Sequence, residues 1–62
     1  MIFKNKVTNE NVKLLTINSQ HVIYRELIWF MGGLEYKSGV LHYMDVTMFL
    51  NEFIHNKHAE VK

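Results

Sequence analysis

The chain has 62 residues, 48% of them hydrophobic, no cysteine and a formal net charge of +1. This length accommodates one domain, so we assign residues 1–62 to a single domain with a flexible tail over residues 59–62. The absence of cysteine excludes disulfides and thiolate metal sites, and the small net charge excludes the strong field of generic nucleic-acid or membrane binders.

Apolar residues do not form a run long enough for a membrane span. The longest unbroken run covers residues 27–31, whereas a transmembrane helix needs about 20 apolar residues. The first six residues also lack the apolar core of a signal peptide. We therefore predict no membrane association and, because cysteine is missing, a cytoplasmic location. Frequent residues with A/T-rich codons indicate a phage, a mobile element or a low-GC bacterium as the source.

The N-terminal part of the chain predicts a β-hairpin. Residues 2–7 and 12–17 are short runs rich in branched side chains, and the four residues between them favour a turn. In this hairpin Lys6 would face Lys13. A helix over residues 8–17 is the alternative, since its apolar residues would also share a face.

The next segment predicts a helix over residues 20–31. Ser19 is suited to the N-cap position, and Gly32 and Gly33 would end the helix in a left-handed conformation. At about 100° per residue most apolar side chains would fall on one broad side. The residues left on the outer side include Val22, Arg25 and Trp29.

A second hairpin and a second helix are predicted to follow. Residues 34–36 and 40–43 flank a short glycine-containing link, which predicts that they pair with each other. Asp45 is the predicted N-cap of a helix whose apolar stripe runs from Val46 to Ile54 and which frays near residues 55–58.

The two halves of the chain share a pattern at an offset of 26 residues, which aligns Ser19 with Asp45 and Ile28 with Ile54. This pattern predicts an α+β fold with two layers in the order ββαββα, in which an antiparallel sheet carries two helices on one face. A true duplication is one explanation of the match. The periodicities of strands and helices alone are the other.

Residues 12–17 are apolar on both sides, which is typical of a strand that is covered twice. A domain this small has little material of its own for the second cover. We therefore predict a homodimer that forms through the first hairpin or its edge.

Motifs for catalysis are missing from the sequence, so we predict that the protein is not an enzyme and has no cofactor. Glu52 and His55 have the E-x-x-H spacing of di-iron helices, but the matching position of the first predicted helix is Trp29. His55 and His58 have a spacing that suits zinc, but further ligands are lacking, so no metal site is predicted.

Two groups of residues are candidates for binding. Val22, Arg25 and Trp29 combine residue types enriched at protein-binding hot spots, with packing of Trp29 at the flank of the core as the alternative. Lys4, Lys6 and Lys13 converge on the first hairpin, where they suit an anion or nucleic acid, with a solvated edge as the alternative. The sequence therefore predicts a small homodimeric protein-binding or inhibitory module, and as the alternative a nucleic-acid-binding transcriptional regulator.

Overall fold

The computed structural model of the protein describes residues 1–60, so Val61 and Lys62 of the predicted tail lie outside the described residues. The elements in chain order are β1 (Ile2–Asn5), β2 (Asn11–Ile17), β3 (His21–Phe30), β4 (Gly33–Tyr36), β5 (His42–Asp45), α1 (Val46–Glu52), β6 (Phe53–His55) and α2 (Lys57–Glu60). The fold is mixed α+β with an antiparallel sheet, as predicted, but the predicted order ββαββα is wrong. Neither helix within residues 1–60 is long and apolar enough to cross a membrane.

The six strands form one sheet in the order β4-β3-β2-β1-β6, and β5 also pairs with β3. All pairings are antiparallel. Strands β4 and β5 lie one after the other along β3, since β4 pairs with residues 27–30 and β5 with residues 21–24. The last strand, β6, returns to pair with β1, so β1, β2 and β3 each have neighbours on both sides.

The first hairpin is present, but its predicted register is wrong. Phe3 pairs with Val12, and Lys13 pairs with Ile2 instead of Lys6. The turn begins earlier than predicted because the side-chain oxygen of Asn5 accepts hydrogen bonds from the backbone N–H groups of two following residues, at 2.8 and 3.0 Å. Asn9 takes a positive φ of 65° in the same loop.

Residues 11–17 form the second strand of this hairpin, so the alternative helix over residues 8–17 is wrong. A β-bulge interrupts the strand, because Leu14 pairs with Tyr24 and Thr16 pairs with Ile23, which leaves Leu15 as an extra residue. Because the bulge adds one residue, each later residue of β2 points to the face opposite to the one that simple alternation predicts. The bulge therefore accounts for part of the two-sided apolar pattern that predicted an external cover.

The predicted helix over residues 20–31 is instead the long strand β3. The segment is rich in β-branched and aromatic residues, which favour strands, and it pairs with three other strands. Its start is a turn in which the side chain of Asn18 accepts hydrogen bonds from the backbone of Gln20 and His21. Ser19 therefore caps no helix.

The predicted second hairpin is also wrong, because β4 and β5 pair with β3 and not with each other. The Asp45 cap, in contrast, is confirmed: its carboxylate accepts hydrogen bonds from the backbone N–H groups of Thr47 and Met48 at the start of α1. Since the aligned halves form a strand in one case and a helix in the other, the internal repeat has no structural counterpart.

The core lies between α1 and one face of the sheet. Its buried apolar residues are Phe3, Val12, Val22, Tyr24, Phe49 and Phe53. The rings of Phe49 and Phe53 stack at 4.5 Å, and that of Phe3 meets Phe49 edge-on at 5.1 Å. We call the opposite side of the sheet the outer face. Strand alternation and cross-strand pairing place on it Ile2, Lys4, Lys13, Arg25, Leu27, Trp29, Leu34 and Tyr36.

Candidate interaction surface

The end of β3 and the whole of β4 form a two-stranded ribbon, residues 27–36, next to the part of β3 that pairs with β2 and β5. Glu26 is the last β3 residue that pairs with β2, and residues 27–30 pair with β4. Met31 and Gly32, with φ of 50° and 81°, close the ribbon. Positive φ at both central residues is typical of the type I′ turn, whose twist matches that of the strands.

Four consecutive large apolar residues are exposed at the end of this ribbon. The exposed fractions are 50% for Ile28, 58% for Trp29, 57% for Phe30 and 90% for Met31. Because neighbouring strand residues point to opposite sides, both faces of the ribbon present apolar surface. Isolated apolar residues are normal at a protein surface, whereas a contiguous patch indicates an interaction site.

On the outer face, Trp29 pairs with Leu34 and Leu27 pairs with Tyr36. Two shallow grooves run beside these pairs. One, of about 150 Å³, lies between Trp29, Leu34, Ile2 and Ala59 of α2. The other, of about 220 Å³, is lined by Ile2, Lys13, Leu27, Leu34, Glu35 and Tyr36. Apolar side chains therefore line most of the outer face beside these pairs, and Lys13 lies at its border.

Arg25 is held in one position on this face. Its guanidinium carbon lies 3.6 Å from the centre of the Tyr36 ring. Its Nε and Nη2 groups donate hydrogen bonds to the backbone carbonyl of Ser38 at 3.2 and 2.8 Å. Stacking on an aromatic ring and a forked hydrogen bond are the two contacts that suit the planar guanidinium. Arg25 thus ties β3 to β4 and to the loop that follows it.

The structure brings two of the three residues of the predicted protein-binding group together. Arg25 and Trp29 share the outer face of β3, with Leu27 between them. Val22 lies on the core face with 0% of its surface exposed, so it takes no part in this surface. The reason is periodicity: residues four apart share a side in a helix and in a strand, whereas residues three apart share a side only in a helix.

The sequence interpretation missed the neighbours that complete this surface, namely Leu27, Leu34, Tyr36, Phe30 and Met31. Their positions depend on the pairing of β3 with β4, which a helix over residues 20–31 does not allow. The signal that indicates this pairing is Met31-Gly32 between two apolar runs, because glycine at a position of positive φ is typical of a tight hairpin turn.

The structure places the three lysines of the predicted cationic group in two different parts of the molecule. Lys4 and Lys13 both lie on the outer face, where Lys4 pairs with Asn11 and Lys13 pairs with Ile2 and with Arg25. Lys6 lies in the loop after β1 and is exposed. The predicted contact of Lys6 with Lys13 is therefore wrong, and Arg25 takes its place beside Lys13.

A partly buried polar cluster occupies the core side of β3 and was not predicted. The ring of Tyr24 stacks on that of His42 at 5.2 Å, and Nε2 of His42 lies 3.3 Å from a carboxylate oxygen of Glu26. Burial raises the pKa of the Tyr24 hydroxyl, and the negative charges of Glu26 and Glu52 raise it further. These contacts join β5 to β3 at the margin of the core.

The residues considered for metal binding are separated by the fold. Glu52 ends α1, His55 lies in β6 with its ring 5.4 Å from that of Phe3, and His58 is exposed in α2. Glu52 and His55 therefore do not share a helical face. Among the residues that the structure describes, no group of three or more histidine, aspartate or glutamate side chains is arranged to hold a metal ion.

Comparison of the chain with models of protein families, with curated proteins and with solved structures found no match.

Proposed function

We propose that the protein is a small, non-catalytic protein-binding or inhibitory module that acts as a homodimer, and that the ribbon of residues 27–36 is its binding surface. The observation that carries this proposal is the run of four exposed apolar residues, Ile28 to Met31, at the end of the ribbon. The cytoplasmic location and the phage, mobile-element or low-GC bacterial origin stay predictions from the sequence.

The area of the ribbon is adequate for a specific contact. Trp29, Phe30 and Tyr36 are about half exposed and Met31 almost fully exposed. With aromatic side chains of about 150–250 Å² each, these residues and Ile28 present on the order of 500 Å². Each partner of a standard interface buries about 800 Å². The ribbon thus supplies more than half of such an interface before its polar rim is counted.

A second copy of the chain is the first partner that we propose. A two-stranded ribbon with much exposed apolar surface is only marginally stable in water, and a second ribbon can cover that surface symmetrically. The first hairpin, where the sequence predicted the dimer contact, has β6 on one side and β3 on the other, and α1 covers its core face. We therefore place the homodimer contact on the ribbon.

The residue types of the surface also suit a target protein. Tryptophan, tyrosine and arginine are enriched among the residues that contribute most to binding energy. Arg25 is already ordered by Tyr36 and Ser38, so little side-chain entropy is lost when a partner binds. An inhibitory module would act by covering the surface of such a target.

Light scattering coupled to size-exclusion chromatography tests the proposal at micromolar concentration. We expect twice the mass of the chain for the wild type and a shift toward the single chain for Trp29→Ala. Tyr43→Ala is the matched control, because Tyr43 is 68% exposed but lies on β5, away from the ribbon. A wild-type monomer, or equal effects of the two substitutions, would contradict the proposal.

A further inference from the structure

The outer face of the sheet gathers cationic strand residues. Lys4, Lys13 and Arg25 all occupy outer-face positions on three neighbouring strands. Glu26 and Glu35 have the opposite parity, so their side chains leave the sheet on the side of α1, although Glu35 borders one groove. The only other strand carboxylate within residues 1–60, that of Asp45, caps α1. The charged strand residues at outer-face positions are therefore all cationic, while the carboxylates of Glu10 and Glu35 border the grooves beside them.

Two of these cations stand directly opposite each other. Lys13 pairs with Arg25 across β2 and β3, and like charges in this position destabilise a sheet. Within residues 1–60, no carboxylate lies within ion-pair distance of either one. Lysine often protects a sheet edge, but β2 is an inner strand, so that explanation does not apply here. An anion bound between the two residues would relieve the repulsion.

Aromatic surface continues from these cations along the same face. Alternate residues of a strand are about 6.6 Å apart, so Arg25, Leu27 and Trp29 form a track of about 13 Å. Trp29 is more than half exposed, and a groove lined by Lys13 and Tyr36 runs beside the track. Arg25 uses its Nε and Nη2 groups for Ser38, which leaves other N–H groups of its five for a ligand.

We propose that the outer face binds single-stranded nucleic acid, with phosphates at Lys4, Lys13 and Arg25 and an unpaired base stacked on Trp29. A positive track beside an exposed aromatic ring is the arrangement that binds single strands without sequence preference. A duplex fits less well, because its paired bases do not offer their faces to a side chain. This inference goes beyond the proposed function, and because a base and a second copy would both cover Trp29, the oligonucleotide should bind the single chain and compete with the dimer.

Trp29 is the single tryptophan of the chain, so its fluorescence reports directly on the proposed stacking. The purified protein is titrated with a thymine oligonucleotide of about eight nucleotides and, in parallel, with an acidic peptide of equal charge. We expect the oligonucleotide to quench the fluorescence and the peptide not to do so. With three phosphate contacts, the logarithm of affinity should fall against the logarithm of salt concentration with a slope of about −2.

The anisotropy of a labelled oligonucleotide measures its binding to substituted proteins and so locates the site. Lys13→Gln should make the salt slope shallower by about 0.7, and Trp29→Ala should weaken binding about tenfold or more. Lys6→Gln is the matched control, because Lys6 lies in the loop after β1, and it should change neither value. Circular dichroism shows whether each variant is folded. If Trp29→Ala is unfolded, the comparison of Lys13→Gln with Lys6→Gln tests the site.

Three results would overturn the proposal: no binding of the oligonucleotide, equal binding of the acidic peptide, or equal effects of Lys13→Gln and Lys6→Gln. The mass of the same samples separates this proposal from the proposed function. A monomer that binds the oligonucleotide contradicts the homodimer alone. A dimer that does not bind it, even after dilution to the single chain, contradicts the nucleic-acid site alone.

Discussion

Phe49 is the residue on which the core depends most. It is fully buried, and its ring contacts those of Phe3, Tyr24 and Phe53 at centroid distances of 4.5 to 5.5 Å. It also links α1 to the sheet, because its three ring partners lie on β1, β3 and β6. In a domain with so few fully buried side chains, the loss of one large ring removes a considerable part of the favourable burial.

We expect Phe49→Ala to lower the free energy of unfolding by about 3–5 kcal/mol, which approaches the whole stability of about 5 kcal/mol found in small domains. Urea unfolding followed by far-ultraviolet circular dichroism measures the change. Leu50→Ala is the control on the same helix, since Leu50 is half exposed and should cost about 1 kcal/mol or less. Equal losses for the two variants would show that the core is not where the structure places it.

Tyr24 makes the stability of the fold sensitive to alkaline pH. Its folded-state pKa is raised, first by burial and then by the charges of Glu26 and Glu52. The unfolded chain therefore loses this proton at a lower pH, about 10, than the folded chain does. The corresponding stability is fully present below pH of about 10 and is lost as the pH rises through the folded-state pKa.

The prediction is that the wild type loses more stability than Tyr24→Phe between pH 8 and about 11. Phenylalanine keeps the ring but has no hydroxyl to titrate, and Tyr36, Tyr43 and the lysines are common to both proteins. Urea midpoints at each pH supply the comparison. Parallel pH profiles for the two proteins would show that Tyr24 ionises equally in the folded and unfolded states.

The elements differ in how far the sequence predicted them, and the difference follows from the range of the interactions involved. The start of α1 depends on a carboxylate and on N–H groups two and three residues away, and the Asp45 cap was predicted correctly. Strand β3 depends on partners in β2, β4 and β5, between three and twenty-four residues away along the chain. Its apolar pattern also fits a helix, so local periodicity alone did not decide between the two.

The contrast between local and long-range interactions also explains which residues of the candidate surface were predicted from the sequence. Arg25 and Trp29 were identified together because a spacing of four places them on one side under either assignment. Val22 was included only because of the helix, and Tyr36 and Leu34 were missed because their position follows from pairing with β3. Lys6 was included because the first turn was placed too late, and the hydrogen bonds accepted by Asn5 set the true register.

The turn of the ribbon provides a test at the level of an element. Met31 is almost fully exposed and has a φ of 50°, a conformation that costs a residue with a side chain about 1–2 kcal/mol. Asparagine tolerates this conformation better and is the preferred partner of glycine in a type I′ turn. Met31→Asn should therefore raise the free energy of unfolding of the single chain by up to about 1 kcal/mol.

The same substitution should weaken the proposed dimer, because Met31 contributes apolar surface to the ribbon. Unfolding at low protein concentration measures the first effect, and the concentration dependence of the mass measures the second. Gly32 is left unchanged, so the turn itself is kept. A variant that is more stable and still dimerises like the wild type would show that Met31 is not part of the contact.

Exposed apolar surface is distributed unevenly between the body of the sheet and the ribbon. The body of the sheet has α1 on one face, and its inner strands are paired on both edges. The ribbon has large exposed apolar side chains on both faces. Within residues 1–60, the molecule therefore covers the core face and both edges of its first hairpin, whereas the ribbon keeps exposed apolar side chains.

Filtered nuclear Overhauser spectra on an equal mixture of isotope-labelled and unlabelled chains detect only contacts between copies, so they show whether a second chain covers the ribbon. We predict intermolecular signals from the side chains of Trp29, Phe30 and Met31, with none from Phe3 or Val12 of the first hairpin. Intermolecular signals confined to the first hairpin, or the absence of any such signal at a concentration where the wild type is fully folded, would contradict the account.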